Sequence, residues 1–302
     1  SPTGSSRLWQ LAASSLADVG LRRSIYKSPA QLRSMVKPGL ITAAALDAVR
    51  ALVAPGVTTL ELDAAASAVI RGAGARSNFQ LVRGYRHTVC TSVNEQVVHG
   101  IPGARVLEAG DIVSIDAGAE FEGWNGDSAI SIVVPDATRP ELVAAREELS
   151  RVTEGSLWAG IAALASASHL GQVGTAIEEY IVANSPGETP YGILRDYVGH
   201  GIGRKMHEDP TVFNYRTHET GAAVRPGLAV AIEPMVVMGD QATFVEDDDW
   251  TVSTLDGTDG SHWEHSVAVH DGGIWVLTAP DGGAAGLARF GIAPTPIAGA
   301  GS

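Results

Sequence analysis

His200 and His207 stand seven positions apart in the run GHGIGRKMHEDP (residues 199–210), among three glycines and a basic pair. Glycine lets a backbone approach a ligand closely, and neutral imidazole is the commonest protein ligand of a transition metal. The run is neither the HExxH of zinc peptidases nor a GxGxxG dinucleotide turn. Its chemistry therefore depends on the carboxylates that the rest of the chain supplies. Two pairs of segments supply them. GDIVSID (110–116) and GLAVAIE (227–233) share the spacing G-x-x-V-x-I-acid and end on Asp116 and Glu233, while DSAISI (127–132) and EHSVAV (264–269) each open on an acid, Asp127 or Glu264, followed by β-branched residues at +3 and +5.

In an extended strand, residues an odd number apart point to opposite faces. All four acids then face away from their neighbouring Val and Ile, so the apolar side chains can be buried on one face of a sheet while four carboxylates gather on the other. A buried carboxylate without a partner protonates or requires a counter-charge. Four carboxylates and one histidine carry too much negative charge for one structural zinc. They match two divalent ions bridged by carboxylates and a hydroxide, and oxygen-rich ligation with a single imidazole favours Mn, Fe or Co, with Zn compatible.

The elements that must hold these residues alternate along the chain. Residues 28–53 carry apolar side chains at helical spacing, with Ser28 and Thr42 as cap candidates and Pro55-Gly56 as a stop. A second helix is expected over 60–71 after Thr58-Thr59, strands over 88–134, helices over 141–165 and 173–184, and a strand-rich stretch over 194–276. Helices then strands, twice over, predict an α+β fold with an internal repeat. A hydrophobic fraction of 45% suffices for a core. The boundaries expected are a tail over 1–25, one catalytic domain over 26–280 and a flexible Gly/Ala/Pro-rich tail over 281–302.

Cys90 is the only cysteine. It permits no intramolecular disulfide and no CxxC clamp, so any metal is held by His and carboxylates, and a cytoplasmic setting is expected. No apolar run approaches the roughly 18–20 residues of a membrane span. The formal net charge of −13 makes a general nucleic-acid binder a poor reading. Charge is nevertheless uneven: residues 1–90 hold 11 Lys+Arg against 4 Asp+Glu, and the remainder 10 against 30. The first residues lack a signal-peptide core and an initiator Met, and read as a processed end.

Asp116, Asp127, His200, Glu233 and Glu264, in the contexts SIDAG, GDSA, GHGIGR, IEPM and WEHSV, together with CTSVNEQVVHGIPG (90–103), resemble the bacterial type I methionine aminopeptidase family over roughly residues 26–280. The resemblance implies the pita-bread fold, two pseudo-symmetric halves around a central antiparallel sheet flanked by helices. It also implies a monomeric enzyme that removes the initiator methionine from nascent chains when the second residue is small. Two divalent ions (Co, Mn, Fe or Zn) are implied, the first held by Asp116 and Asp127, the other by His200 with Glu233 beside it, and Glu264 bridging both, with a hydroxide between them attacking the first peptide bond. Glu233 is implied as the group that takes and returns the proton, His207 as a donor to the scissile peptide, and His99 as a group near the scissile nitrogen. The methionine pocket implied is Tyr85, Cys90, Met206 and Trp250, with Phe79 and Val82 as weaker members.

Three departures from the family pattern bear on this reading. Asn125 stands where the family usually has histidine, which predicts altered support of Asp127. Gly84-Tyr85-Arg86-His87 replaces glycine, aromatic, proline at the pocket entrance, with His87 read as a loop histidine. His262 and His265 flank Glu264, and alternation turns His265 away from the metal face. The acidic run 246–249 before Trp250 reads as a solvated loop. The rival activities are a same-fold aminopeptidase that cleaves before proline and a non-catalytic ribosome- or RNA-binding module. Arg22, Arg23, Lys27 and Arg33 are the candidate contacts to ribosomal RNA.

Overall fold

The computed structural model describes residues 24–299. In chain order the elements are α1 (Pro29–Leu52), α2 (Thr59–Gly72), β1 (Arg76–Ser77), β2 (Val89–Val93), β3 (Gln96–Val98), β4 (Ile112–Phe121), β5 (Trp124–Val133), α3 (Pro140–Leu164), α4 (Gly171–Asn184), β6 (Gly192–Ile193), β7 (Gly199–Gly201), β8 (Glu208–Val212), β9 (Ala229–Ile232), β10 (Met235–Val237), β11 (Thr243–Val245), β12 (Val252–Thr254), β13 (Gly260–His262), β14 (Glu264–His270), β15 (Gly273–Val276) and α5 (Ala284–Leu287). Short 3₁₀ turns lie at Phe79–Leu81 and Ala288–Phe290.

Ser28 and Thr58 cap α1 and α2 through reciprocal capping boxes with Gln31 and Glu61, which satisfies orphan backbone donors at each start. Thr42, expected as a cap, lies inside α1. It is fully buried there, and its hydroxyl donates to the Pro38 and Gly126 carbonyls and accepts from the Ala119 amide. The helix runs through because the hydroxyl bonds the sheet instead of opening the backbone.

Nine strands form one antiparallel sheet in the order β1-β4-β5-β14-β9-β7-β8, with β2 on β4 and β15 on β14. The hairpin β4–β5 and the pair β9–β14 are the two halves of the expected repeat, and they meet at β5–β14. Helix α1 packs on β4 and β5 with α2 beside it, and α3, paired with α4, packs over β9, β13 and β14. This is the pita-bread arrangement. The repeat explains its own glycines: Gly110 and Gly227 both have positive φ, +88° and +98°, a conformation that side chains disfavour, and each turns the chain toward an acid six residues on, Asp116 within β4 and Glu233 just after β9.

Val113, Ile115, Ile130, Val230, Ile232, Val267 and Val269 all enter the main core, so the alternation read from sequence is met on both halves. The segment from Asp281 corrects an expectation. Through Gly299 it packs on the body of the protein instead of trailing from it: Leu287 is fully buried in the main core and Ile297 is buried beside Leu32, Met35 and Trp124. Leu287, Phe290, Ile292 and Ile297 each meet an apolar surface, which composition alone did not show. Among the described residues no helix is long and apolar enough to cross a membrane.

Candidate metal centre

Sheet register assembles the centre. Asp116 in β4 and Glu264 at the start of β14 are the cross-strand partners of Ala129 on its two sides, and Asp127 lies two residues before Ala129 on the same face. On the other half, His200 in β7 is opposite Ala231, two residues before Glu233, and the pair Ile232↔His265 brings Glu233 opposite Glu264 one step further on. The methyl groups of Ala129 and Ala231, both fully buried, therefore floor the site. These alanines escaped the reading of the sequence, although both sit in the repeated pattern before an isoleucine. Small side chains there leave room for ions above the sheet.

All five expected ligands are at most 8% exposed. Two ligand sets share one residue: Asp116, Asp127 and Glu264 offer atoms within 4.8 Å of one another, and so do His200, Glu233 and Glu264. His200 Nε2 lies 3.3 Å from Glu233 Oε1 and 4.0 Å from Asp127 Oδ2. His200 Nδ1 lies 2.9 Å from the Gly201 carbonyl. It must donate there, which fixes the tautomer and leaves Nε2 as the bare lone pair. Asp116 Oδ1, Asp127 Oδ1 and Glu264 Oε1 are buried without hydrogen-bond partners. Bare carboxylate oxygens crowded at one point are what a divalent cation satisfies, so the donor set fits divalent metal.

Burial pushes the Asp116 carboxyl from 3.8 up to about 8. It raises Asp127, Glu233 and Glu264 as well, helped by their mutual repulsion. The ion-free folded protein thus holds protons more tightly than the unfolded chain between the ordinary and the raised values. Its stability falls as pH rises through that window, and a divalent ion offsets the loss most at the upper end. Melting temperatures of chelator-treated protein across that window, with and without Mn, should diverge as pH rises. A metal-induced gain that does not change with pH would count against four raised carboxyls.

Hydroxyls knit the seam between the halves. Ser266 Oγ accepts from the Asp127 amide and donates to its carbonyl, at 3.0 and 2.8 Å, and Ser128 Oγ donates to the Glu264 carbonyl at 2.6 Å. The Asn214 amide donates to the Glu233 carbonyl at 3.0 Å. Asn125 turns away from Asp127: its backbone and side-chain N–H groups both donate to the Gly203 carbonyl, tying the β4–β5 hairpin to the loop after His200.

A cavity of about 160 Å³ adjoins the ligands and is lined in part by His99, Tyr197, His200, His207, Glu233 and Met235. His99 holds a positive φ of 61°, uncommon outside glycine, and its ring meets Tyr197 edge-on at 5.6 Å. The His207 ring meets His200 at 4.3 Å, and one of its nitrogens also groups with Asp127 and His200 at ligand spacing. Burial lowers His99 and His200 to about 4 and His207 well below its ordinary value, so all three imidazoles are neutral.

Phe79, Tyr85 and Cys90 form a separate buried apolar cluster, with Val82, Ile101 and Trp250 packed against it. Tyr85 is its hub, 6.1 Å from the Phe79 ring and 5.2 Å from Trp250, with its hydroxyl donating to the Val89 carbonyl. Cys90 is the cross-strand partner of Asp116, so the cluster abuts the carboxylates. Met206 is buried next to His207 but is not among the described members of this cluster. His87 lies 3.9 Å from Asp63 and meets the Tyr85 ring edge-on at 6.0 Å, and His265 meets Thr278 and Trp158 on the far face. His262, named from the sequence only as a neighbour of Glu264, is 1% exposed, its Nε2 has no hydrogen-bond partner, and it faces Glu233 Oε2 at 3.9 Å. Two-residue periodicity could have found it, since it shares the face of Glu264. In the acidic run, Asp247, Asp248 and Asp249 are exposed as expected, but Glu246 accepts from Ser253, and Asp248 accepts from the Trp250 and Thr251 amides, so it shapes the turn that presents Trp250.

An antiparallel pita-bread sheet with four buried carboxylates and an imidazole grouped at metal-ligand spacing suits a metallopeptidase, and the chain belongs to metallopeptidase family M24, whose model matches residues 33–271. Over 254 residues it is 45% identical to methionine aminopeptidase 1 of Mycobacterium tuberculosis, covering 83% of this chain and 94% of that relative. It is 35% identical to the methionine aminopeptidase of Escherichia coli, covering 83% and 92%. The crystal structure of methionine aminopeptidase from Thermotoga maritima superposes with a TM-score of 0.75 at 36% identity, covering 84% of this chain and 98% of that one. Prolidase from Pyrococcus furiosus, at 20% identity and a TM-score of 0.63, shares the fold, and this chain spans 65% of its length.

Proposed function

We propose that this chain is a metal-dependent methionyl aminopeptidase that removes the initiator methionine of nascent polypeptides whose second residue is small. The observation that carries this reading is the pair of ligand sets sharing Glu264, set directly against the Phe79, Tyr85, Cys90 and Trp250 cluster. Aromatic and sulfur atoms suit a methionine side chain, each S···aromatic contact contributing about 0.3–1.5 kcal/mol. The strength of the likeness to methionine aminopeptidases, against a shared fold alone with prolidase, favours methionine over a proline-directed activity. Retention of all five ligands in one buried cluster argues against a binding module without catalysis.

Asp116 and Asp127 would hold one ion and His200 and Glu233 the other, with Glu264 shared; Mn, Co and Fe suit the oxygen-rich set, and Zn is compatible. Divalent ions there supply Lewis-acid polarisation of the scissile carbonyl and a water acidic enough to attack near neutral pH. Glu233, 3.3 Å from His200 and lining the cavity, takes a proton and returns it to the departing amine. Neutral His207 donates a hydrogen bond toward the oxygen on which charge develops. His99, fixed in its left-handed conformation beside the cavity, serves the scissile nitrogen.

Hydrolysis of Met-Ala-Ser against an Ala-Pro peptide, with Mn or Co present, tests the reading. Methionine release from the first with no cleavage of the second is expected. Turnover of the proline peptide alone would overturn the proposal.

A further inference from the structure

Lys27, expected from composition as a surface cation for RNA, points inward. Its side chain is 7% exposed, and its ammonium donates to Glu208 Oε2 at 3.0 Å and to the Ile25 carbonyl at 3.3 Å. Arg22 and Arg23, also named for that contact, lie outside the described residues. The other carboxylate oxygen of Glu208 accepts the Lys205 amide at 2.9 Å, so one acid closes the turn over residues 205–208 and receives the lysine. Between these two bonds lie Met206, buried, and His207, which lines the cavity.

The backbone around the pair is shaped to admit it. A Cβ on Gly203 would come within 2.8 Å of the Lys27 side chain and within 2.9 and 3.0 Å of the Glu208 oxygens. The glycine of the GHGIG run is therefore kept bare by the ion pair crossing over it. Lys27 is anchored at its own backbone as well: its amide donates to the Gly227 carbonyl at 2.7 Å, and a Cβ on Gly227 would come within 2.5 Å of its carbonyl oxygen. Tyr26 adds a hydroxyl bond to Ala223 at 2.8 Å and lies under the Arg225 guanidinium. The segment before α1 is thus fastened to the strand leading to Glu233 and reaches across to the His207 loop.

We infer that Lys27 is a positioning residue of the active site, latching the Met206–His207 loop through Glu208. The inference rests on the aminopeptidase reading for its catalytic consequence, but the latch itself does not. The lysine is buried and Glu208 is 24% exposed, so removing the ammonium takes away the counter-charge that holds the carboxylate in place over the loop. Asp116, Asp127, His200 and Glu264 stand on sheet strands and Glu233 directly after one, and the Lys27 ammonium bonds Glu208 and Ile25, not these five.

The experiment compares wild type, Lys27→Met, Lys27→Arg and Gly203→Ala. Each is read by trypsin cleavage after Arg204 and Lys205, both exposed in the loop, by bound Mn, by melting temperature, and by kcat and KM on Met-Ala-Ser. Lys27→Met and Gly203→Ala are expected to be cut at the loop at least ~10-fold faster and to lose about 10- to 100-fold in kcat/KM, the range seen when groups that orient a site are removed. Mn binding should stay unchanged, and Lys27→Arg should recover most of both readouts. Wild-type cleavage and turnover in Lys27→Met would overturn the latch. Loss of Mn and a general collapse of melting temperature would assign Lys27 to overall stability and overturn it equally. Faster loop cleavage in a protein whose wild type releases no methionine would support the latch while removing the aminopeptidase reading.

Discussion

Glu264→Gln is expected to lower methionine release by at least ~10³-fold, since a metal contributes several kcal/mol and each 1.4 kcal/mol is tenfold in rate. Glu264 joins the set with Asp116 and Asp127 to the set with His200 and Glu233, so its loss is expected to weaken both together, whereas Asp116 serves one. The same substitution should make the ion-free protein more stable. Four buried carboxylates repel one another, and each is pushed toward its protonated form. Replacing one by a neutral amide relieves that repulsion without changing volume. Calorimetry of chelator-treated protein should show a higher melting temperature for Glu264→Gln than for wild type, together with a much smaller rise on adding Mn. A variant that keeps wild-type turnover, or that unfolds when ion-free, would show that Glu264 is not the shared ligand.

The second large effect is expected at His207. His207→Ala should reduce kcat by about 10²- to 10³-fold, the cost of losing one donor to a developing oxyanion, while Mn affinity stays near wild type because the five ligands remain. The assignment is open to test because His207 also sits at ligand spacing with Asp127 and His200. Equilibrium Mn binding separates the roles. Loss of an ion along with activity would move His207 into the coordination shell, and loss of activity with both ions retained places it on the substrate.

The gathering of the four acids on one face could be read in the sequence because strand periodicity is rigid. An acid three or five residues from a β-branched residue must face the other way, and the repeat presented that pattern four times. Capping residues made the starts of α1 and α2 readable for a similar reason, since the capping box is a local bond between residues three apart. What escaped depended on contacts distant in the chain. Thr42 has the side chain of a cap, but its partners are the carbonyl of Gly126 and the amide of Ala119. Lys27 has the composition of a surface cation, but Glu208, 181 residues away, draws it in. Ala129 and Ala231 carry no reactive group, and their importance emerges only when register sets them beneath the acids. Leu287 and Ile297 lie in a glycine- and alanine-rich stretch whose order comes from the surfaces that receive them.

One titration decides whether this is a two-ion aminopeptidase. Chelator-treated protein is titrated with Mn while methionine release from Met-Ala-Ser and bound Mn are followed on the same samples. The expected course is no release without metal, activity that rises with the ions added, and saturation at two ions bound per chain. Methionine release that persists in full after complete chelation, or metal that binds without any release, would contradict the account.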